Sequence, residues 1–258
     1  MLRSVKELKG YSIQATDGKI GHIDERFFEE DTWIVRYLVV DVGNWLISER
    51  VLLVPDAIEH IDTEAETISV PLTKEQVENS PDVDVAQPIS REKELKLHEH
   101  YDWAPYWTLP YPAALGTYPA RPAGVGPVMP VAGEETLEPE PVEKVEESDV
   151  NSNLRSTDEV IDYTIQATDD DIGHVEDFIV DTELWIIRYM VVDTRNWLPG
   201  KKVLVSPTWI SGMRWETSEV YVDLTREQVK NSPEYDRDDL NREYETRLYE
   251  HYEKPVYW

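Results

Sequence analysis

Short apolar runs separated by turn residues cover most of the chain. In the first half the runs span residues 11–16, 20–28, 33–42, 51–55 and 67–70, with Asp-Gly, Glu-Glu-Asp and Gly-Asn-Trp among the separating sequences. Runs of this length that are rich in valine, isoleucine, tyrosine and tryptophan are typical of β-strands. The pattern therefore predicts a small all-β fold.

Helix start signals occur between and after these strands. A serine or threonine followed three residues later by glutamate or glutamine is typical of a helix N-terminus. The signal begins at Ser4, Thr73, Ser156 and Thr225. A further helix is predicted from about Arg91 to Tyr101 and, in the second half, from about Arg242 to Tyr252. The fold class is therefore all-β with short helices.

The chain contains the same pattern twice. WIVRYLVVDVGNWL begins at Trp33 and WIIRYMVVDTRNWL begins at Trp185. In this register Tyr11 aligns with Tyr163, and roughly 34 of 74 aligned positions are identical. The tails REKELKLHEHYDWAPYW and REYETRLYEHYEKPVYW also match. A repeat of this length indicates a duplicated domain. The predicted domains are residues 1–107 and residues 154–258, each ending in a helical tail.

Residues 108–153 differ in composition from both repeats. They are rich in proline, glycine and alanine and become acidic towards the end of the segment. They show neither a helical nor an alternating apolar pattern, so they cannot bury enough surface to offset the entropy of ordering. We expect a partly extended, mobile linker.

The repeated strand is apolar on both faces. In the first copy only Arg36 interrupts the apolar positions, and in the second copy only Arg188 does. One face can fill a barrel, so the other needs an external cover, for which the sister repeat and the repeat's own C-terminal helix are the two candidates. We expect the sister repeat to provide it, in an intrachain pseudo-dimer. The predicted interface residues are Trp33, Val35, Tyr37, Val39, Trp185, Ile187, Tyr189 and Val191.

Composition narrows the range of partners. The chain has no cysteine, no apolar stretch long enough to span a membrane, and a formal net charge of −28 that is spread over the repeats and the linker. Such a charge repels nucleic acid and anionic lipid. We therefore expect a cytoplasmic protein that neither binds nucleic acid nor inserts directly into a membrane.

The sequence offers weak candidates for chemistry. HEHYD at His98 places histidine beside carboxylates, but the second copy has tyrosine at the first of these positions, and a solvated helix end is the simpler interpretation. His22 and His174 have no nucleophile or acid at a fixed spacing. We expect no catalytic residue, no cofactor and no metal ligand, and hence not an enzyme; whether the histidines bind a metal stays open.

Two further features have alternative interpretations. Arg36 and Arg188 should pair with an acid such as Asp41 or Asp193, reach solvent along the stem, or bind a ligand. The aromatic tails YDWAPYW and YEKPVYW could dock either on their own barrel or on a partner protein.

The repeat resembles the PRC-barrel domain, which occurs in the photosynthetic reaction-centre H subunit and in the bacterial ribosome maturation factor. The resembling motifs are IGHI at Ile20, YLVVD ending at Asp41, VLLVP ending at Pro55 and LTKEQVENSP ending at Pro81, and each has an equivalent in the second repeat. The resemblance implies two small β-barrels in tandem that act as interaction surfaces, with no family active site to transfer.

The chain also departs from both relatives. It shows neither the membrane helix of the H subunit nor the additional barrel of the maturation factor, and it is more similar to bacterial stand-alone or tandem PRC-barrel proteins. We therefore expect a non-catalytic interaction or scaffold protein. The alternative, by family analogy, is an accessory factor of a photosynthetic or electron-transfer complex, or of RNA processing and ribosome maturation.

Overall fold

The computed structural model describes residues 1–43, 49–81, 89–108, 153–194 and 201–258. Most of the predicted linker and the segments 44–48, 82–88 and 195–200 lie outside these residues, so the linker and the domain boundaries on either side of it stay predictions. None of the helices in the described ranges is both long enough and apolar enough to span a membrane.

The described part of the first repeat contains seven strands, three α-helices and two short 3-10 helices. The strands are β1 (Leu2–Ser4), β2 (Ser12–Ala15), β3 (Gly18–Glu29), β4 (Val35–Asp41), β5 (Arg50–Leu53), β6 (His60–Asp62) and β7 (Thr67–Ser69). The helices are α1 (Val5–Leu8), α2 (Lys74–Glu78) and α3 (Arg91–Tyr101). The predicted all-β fold with short helices is confirmed. The three-residue strands β1 and β6 are too short and too polar to have been predicted.

The second repeat follows the same order. Its strands are β8 (Leu154–Ser156), β9 (Thr164–Gln166), β10 (Asp171–Asp181), β11 (Ile186–Asp193), β12 (Lys202–Val205), β13 (Ile210–Arg214) and β14 (Glu219–Val222). Its helices are α4 (Thr157–Val160), α5 (Arg226–Asn231) and α6 (Arg242–His251). The threonine caps of α2 and α5 each form the predicted reciprocal pair with a glutamine three residues later.

Each repeat builds a sheet with the same topology. The strand order is β5-β4-β3-β2-β7-β6 in one sheet and β12-β11-β10-β9-β14-β13 in the other. All neighbours in this order are antiparallel except β2 with β7 and β9 with β14, which are parallel. The repeated sequence therefore gives a repeated fold.

The first strand of each repeat joins the sheet of the other repeat. Strand β1 pairs with β10, so that Leu2 lies opposite Asp181. Strand β8 pairs with β3, so that Leu154 lies opposite Glu29. This reciprocal exchange connects the two sheets through backbone hydrogen bonds, which an end-to-end arrangement of separate domains would lack.

The IGHI and YLVVD motifs meet where β3 pairs with β4. A Cβ atom on Gly21 would overlap the carbonyl oxygen of Asp41, and one on Gly173 would overlap that of Asp193. Only glycine permits two backbones to approach this closely. The glycine of IGHI and the aspartate that ends YLVVD are therefore two sides of one contact.

Candidate interaction surface

The two repeats meet at the start of strands β4 and β11. The Val35 amide donates to the Trp185 carbonyl at 2.7 Å, and the Ile187 amide donates to the Trp33 carbonyl at 2.8 Å. Both tryptophans have left-handed backbones, with φ of 59° and 54°. This conformation is unfavourable for a bulky residue, so the junction must stabilise it.

An aromatic cluster lies beside this bridge. Phe28 stacks on Trp33 with ring centroids 4.9 Å apart, and Phe178 of the other repeat lies 6.2 Å from Phe28 and 6.3 Å from Trp33. All three side chains are buried. Apolar burial of this kind supplies most of the free energy of a protein contact.

Each exchanged strand ends at a serine that bonds to a carboxylate of the other repeat. The Ser4 hydroxyl donates to Asp177 at 2.5 Å, and the Ser156 hydroxyl donates to Glu25 at 3.0 Å. Both serines also cap the helix that follows, α1 or α4. Burial raises the pKa of the Asp177 and Glu25 carboxyls above their ordinary values.

Arg26 breaks the symmetry of the junction. It occupies the position that Phe178 holds in the second repeat, and it is 1% exposed. None of its guanidinium nitrogens has a hydrogen-bond partner among the residues that the structure describes. Desolvation lowers its pKa to about 10, although Asp158 and Asp177 favour the charged form. The carboxylates around it balance its charge from a distance instead of forming a direct ion pair.

The structure buries all eight predicted interface residues. Trp33 and Trp185 lie at the contact between the repeats. Tyr37 and Tyr189 differ from the expectation, because each lies beneath the C-terminal helix of its own repeat: the Tyr37 hydroxyl donates to Glu94 of α3 at 2.8 Å. Strands β4 and β11 are each long enough for the sister repeat to contact the start of the strand and for the repeat's own C-terminal helix to cover the middle.

The buried carboxyl groups of Glu94 on α3 and Glu245 on α6 have similar surroundings. Glu94 is 0% exposed, accepts from Tyr37 and Tyr106, and pairs with Arg91 at 2.9 Å. Glu245 accepts from Tyr189 and Tyr257, both at 2.7 Å, and pairs with Arg242 at 3.2 Å. Several donors are needed to compensate a buried carboxyl group for the hydration that it loses.

The aromatic tails dock on their own repeats through arginine. The Arg36 guanidinium lies 4.1 Å above the Tyr106 ring, and Arg188 lies 4.1 Å above Tyr257. The prediction that each arginine pairs with an acid is confirmed, with acids other than the two examples named: Arg36 pairs with Glu29 at 2.7 Å, and Arg188 lies 3.7 Å from Asp181. These acids lie on the neighbouring strands β3 and β10, next to the arginines.

Three histidines on the C-terminal helices make structural contacts. His100 and His251 each place Nε2 2.7 Å from a backbone carbonyl, of Gln76 and Gln228 respectively, so the ring donates and ties the C-terminal helix to α2 or α5. His98 is buried against Tyr37, and burial lowers its pKa. Within the described ranges, no three histidine or acidic side chains are grouped to hold a metal ion.

Sequence reasoning missed the exchanged strands, Arg26 and the two buried glutamates. The sequence predicts Ser4 and Ser156 as helix caps. The spacing of residues along the chain does not show which carboxylate each serine contacts. Glu94 and Glu245 align between the repeats, but acidic residues in a helix usually face solvent. Only the packing of their helices on Tyr37 and Tyr189 distinguishes Glu94 and Glu245 from acidic residues that face solvent.

Comparison with known proteins identifies the first repeat. The family model of the PRC-barrel domain matches residues 2–77, which include all seven strands of that repeat. The relation of the second repeat rests on its repeated sequence and its identical strand order. No curated protein matches the chain.

Proposed function

Residues 2–77 belong to the PRC-barrel domain family, and on this premise we propose that the chain is a non-catalytic protein-interaction or scaffold protein. Its two repeats would act as one intrachain pseudo-dimer. The observation that carries the proposal is the reciprocal exchange of β1 and β8. Each sheet includes one strand of the other repeat, which holds both repeats in a fixed relation, so a partner can contact both at once.

The buried polar groups favour this function over catalysis. Glu94, Glu245 and His98 are enclosed by tyrosine, arginine and tryptophan side chains of their own repeat. A catalytic acid or base must reach a substrate. In these positions the groups hold the C-terminal helices on their sheets. This supports the assignment of the chain as a binding module.

The partner is proposed to be a protein, and a cytoplasmic location stays a prediction. The chain has a formal charge of −28, so it would repel a partner with a phosphate backbone. The accessory roles in electron transfer or RNA processing rest on family analogy. They differ from the leading proposal in the identity of the partner, and no contact described above favours either.

Affinity capture of partners from the source cells, followed by quantitative mass spectrometry, tests the proposal. The bait is the full chain, and the control bait is the same chain denatured and captured under identical conditions. We expect a protein partner that is retained in stoichiometric amount through washing at moderate salt. Ribosomal proteins or membrane redox subunits would favour the respective accessory role. Equal recovery on both baits would contradict the proposal.

A further inference from the structure

The contacts between the two repeats come in equivalent pairs. Leu2 of β1 lies opposite Asp181, and at the equivalent positions Leu154 of β8 lies opposite Glu29. The two serine–carboxylate contacts at the ends of these strands correspond in the same way. In an arrangement with two-fold symmetry every contact would have an identical counterpart. Contacts without such a counterpart therefore show where the junction requires two different repeats.

One ion pair across the junction has no counterpart. The ammonium group of Lys9, which follows α1, lies 2.7 Å from a carboxylate oxygen of Asp158 on α4. The residues at the equivalent positions are Ile161 and Lys6, which cannot form an ion pair. Both members of the pair are accessible to solvent, so the pair alone contributes little to stability. A strong preference for unlike repeats requires a buried charge in addition.

Arg26 supplies this buried charge. It is 1% exposed, and the carboxylates that interact with its guanidinium group are Asp158 and Asp177 of the second repeat and Asp24 and Glu25 of its own strand. A charge that is removed from water interacts more strongly with its neighbours than a charge at the surface. The acidic residues of the second repeat therefore stabilise a charge that the first repeat contributes.

A pair of two first repeats would bring positive charges together. Lys6 would occupy the position of Asp158, so Arg26 would face an ammonium group where it now faces a carboxylate. Of the two carboxylates that the second repeat supplies to Arg26, one would be retained, as Glu25. Lys9 would also lie against Lys6. Like charges in a desolvated interface are strongly unfavourable, so this pairing is disfavoured.

A pair of two second repeats would bring negative charges together. In the structure α4 packs on β3 of the first repeat, and in such a pair it would pack on β10 instead. Asp158 and Glu159 on α4 would then lie near Asp177, and neither α4 nor β10 contains a lysine or an arginine. Phe178 would occupy the position of the buried arginine. The second repeat therefore needs a first repeat to neutralise its side of the junction.

We propose that Lys6, Lys9 and Arg26 form a recognition surface that selects an unlike repeat, one with carboxylates opposite these cations, and excludes another first repeat. The occupant is the second repeat of the same chain, in which Asp158 and Asp177 supply the carboxylates. The inference rests on the proposed pseudo-dimer and assigns the residues that select its two halves. Chains that a partner protein brings together would for the same reason not join through like repeats.

Amide hydrogen exchange in the full chain measures this selection. Among the described strands, β1 and β8 form ladder hydrogen bonds only with the sheet of the other repeat, so their amides exchange faster when the junction opens. Amides of β4 and β11, which lie inside the two sheets, report whether each repeat stays folded.

Three variants transfer the charge pattern between equivalent positions. One gives the first repeat the residues of the second: Lys6→Asp, Lys9→Ile and Arg26→Phe. Another gives the second repeat the residues of the first: Asp158→Lys, Ile161→Lys and Phe178→Arg. The exchanged variant carries all of these substitutions, so its composition and net charge equal those of the wild type. We expect β1 and β8 to exchange about tenfold faster in each one-sided variant, and within about threefold of the wild-type rate in the exchanged variant.

A matched pair of single substitutions gives a second test that does not depend on the folding of the multiple variants. Asp158→Lys reverses a charge that interacts with Arg26, whereas Glu159→Lys makes the same change in net charge at the next residue of α4, which is exposed. We expect Asp158→Lys to accelerate exchange in β1 and β8 about tenfold and Glu159→Lys to leave it unchanged. Addition of Arg26→Met to Asp158→Lys should restore slow exchange.

The inference would be overturned by one-sided variants that exchange at the wild-type rate, or by an exchanged variant that keeps β4 and β11 protected while β1 and β8 exchange rapidly. Equal effects of Asp158→Lys and Glu159→Lys would overturn it as well, including the case in which the multiple variants unfold. Affinity capture remains an independent test. A partner captured by the wild type alongside any of these results sinks the selection alone, whereas the expected exchange rates without a captured partner sink the interaction function alone.

Discussion

Two buried glutamates determine how each C-terminal helix packs on its sheet. Glu94 and Glu245 each accept from two tyrosines and pair with one arginine. Removing one donor leaves the carboxylate buried with fewer partners, which is more costly than the loss of an exposed hydrogen bond.

Tyr37→Phe and Tyr189→Phe are expected to lower the free energy of unfolding by about 1–3 kcal/mol each, because each leaves a buried carboxyl group without one of its donors. Urea unfolding followed by tryptophan fluorescence measures the loss. The matched control is Tyr221→Phe, whose hydroxyl contacts Glu219 at the surface and whose removal should change little. Equal effects at all three positions would contradict this role.

Gly21→Ala is expected to lower the free energy of unfolding by more than about 3 kcal/mol, because its Cβ would overlap the Asp41 carbonyl. Gly212→Ala is the control, since its Cβ meets no atom; its effect should stay within about 1 kcal/mol. Thermal or urea unfolding of both variants gives the comparison. A Gly21→Ala protein as stable as the control would show that β3 and β4 are not in close contact.

Acidification should strengthen the fold through Asp177. Its folded-state pKa is raised by burial, so the folded chain binds the proton more tightly, and the resulting stabilisation is complete below the ordinary pKa of aspartate and is lost as pH rises through the folded pKa. The groups around it are Ser4, the amides of Lys6 and Phe178, and the Lys6 and Arg26 side chains.

Asp177→Asn removes this titration. We expect the free energy of unfolding of the wild type, relative to Asp177→Asn, to fall as pH rises from about 4 to about 7. Urea unfolding at a series of pH values checks this. Asp223→Asn, at an exposed position, provides the control. A difference that does not vary with pH would show that Asp177 is not held in a desolvated site.

At the scale of elements, strong local patterns were predictable and long-range pairing was not. The two-faced strand, the capping boxes of α2 and α5 and the start of α3 follow from local sequence. Strands β1 and β8 read LRS in both repeats, with no alternation to indicate a strand. Their pairing is determined by the arrangement of the other repeat, which no local pattern contains.

The sequence allows two interpretations of the aromatic tails for the same reason. Their residues suit contact with any apolar surface, and only the position of Arg36 or Arg188 on the sheet selects their own repeat. Cation–π stacking over tyrosine, together with the hydroxyl bond to the buried glutamate, makes each tail part of its domain.

Tyr257→Ala is expected to lower the free energy of unfolding by about 2–4 kcal/mol, because it removes both the stack with Arg188 and a donor to Glu245. Amide hydrogen exchange in α6 should become faster in this variant. Trp258→Ala is the control in the same tail, since Trp258 is 46% exposed, and its effect should be smaller. Similar losses for both variants would contradict the docking role of Tyr257.

For the whole molecule, duplication in one chain allows the two halves to differ. A dimer of identical subunits must place the same residue at both sides of its junction. Here Arg26 lies at the junction at the position that Phe178 holds in the second repeat, and the five-residue strand β13 corresponds to the three-residue strand β6. The two repeats can therefore differ in sequence at the junction and in the length of the last strand of each sheet.

The exchange of strands between repeats is the central claim, and disulfide trapping in this cysteine-free chain tests it most directly. Leu2 lies opposite Asp181, at a separation that suits a disulfide. Glu29 is the equivalent of Asp181 in the sheet of the first repeat. The double variant Leu2→Cys with Asp181→Cys should form an intramolecular disulfide on mild oxidation at low protein concentration, and Leu2→Cys with Glu29→Cys should not. A disulfide in the second variant, or disulfides that only link separate chains in the first, would contradict the account.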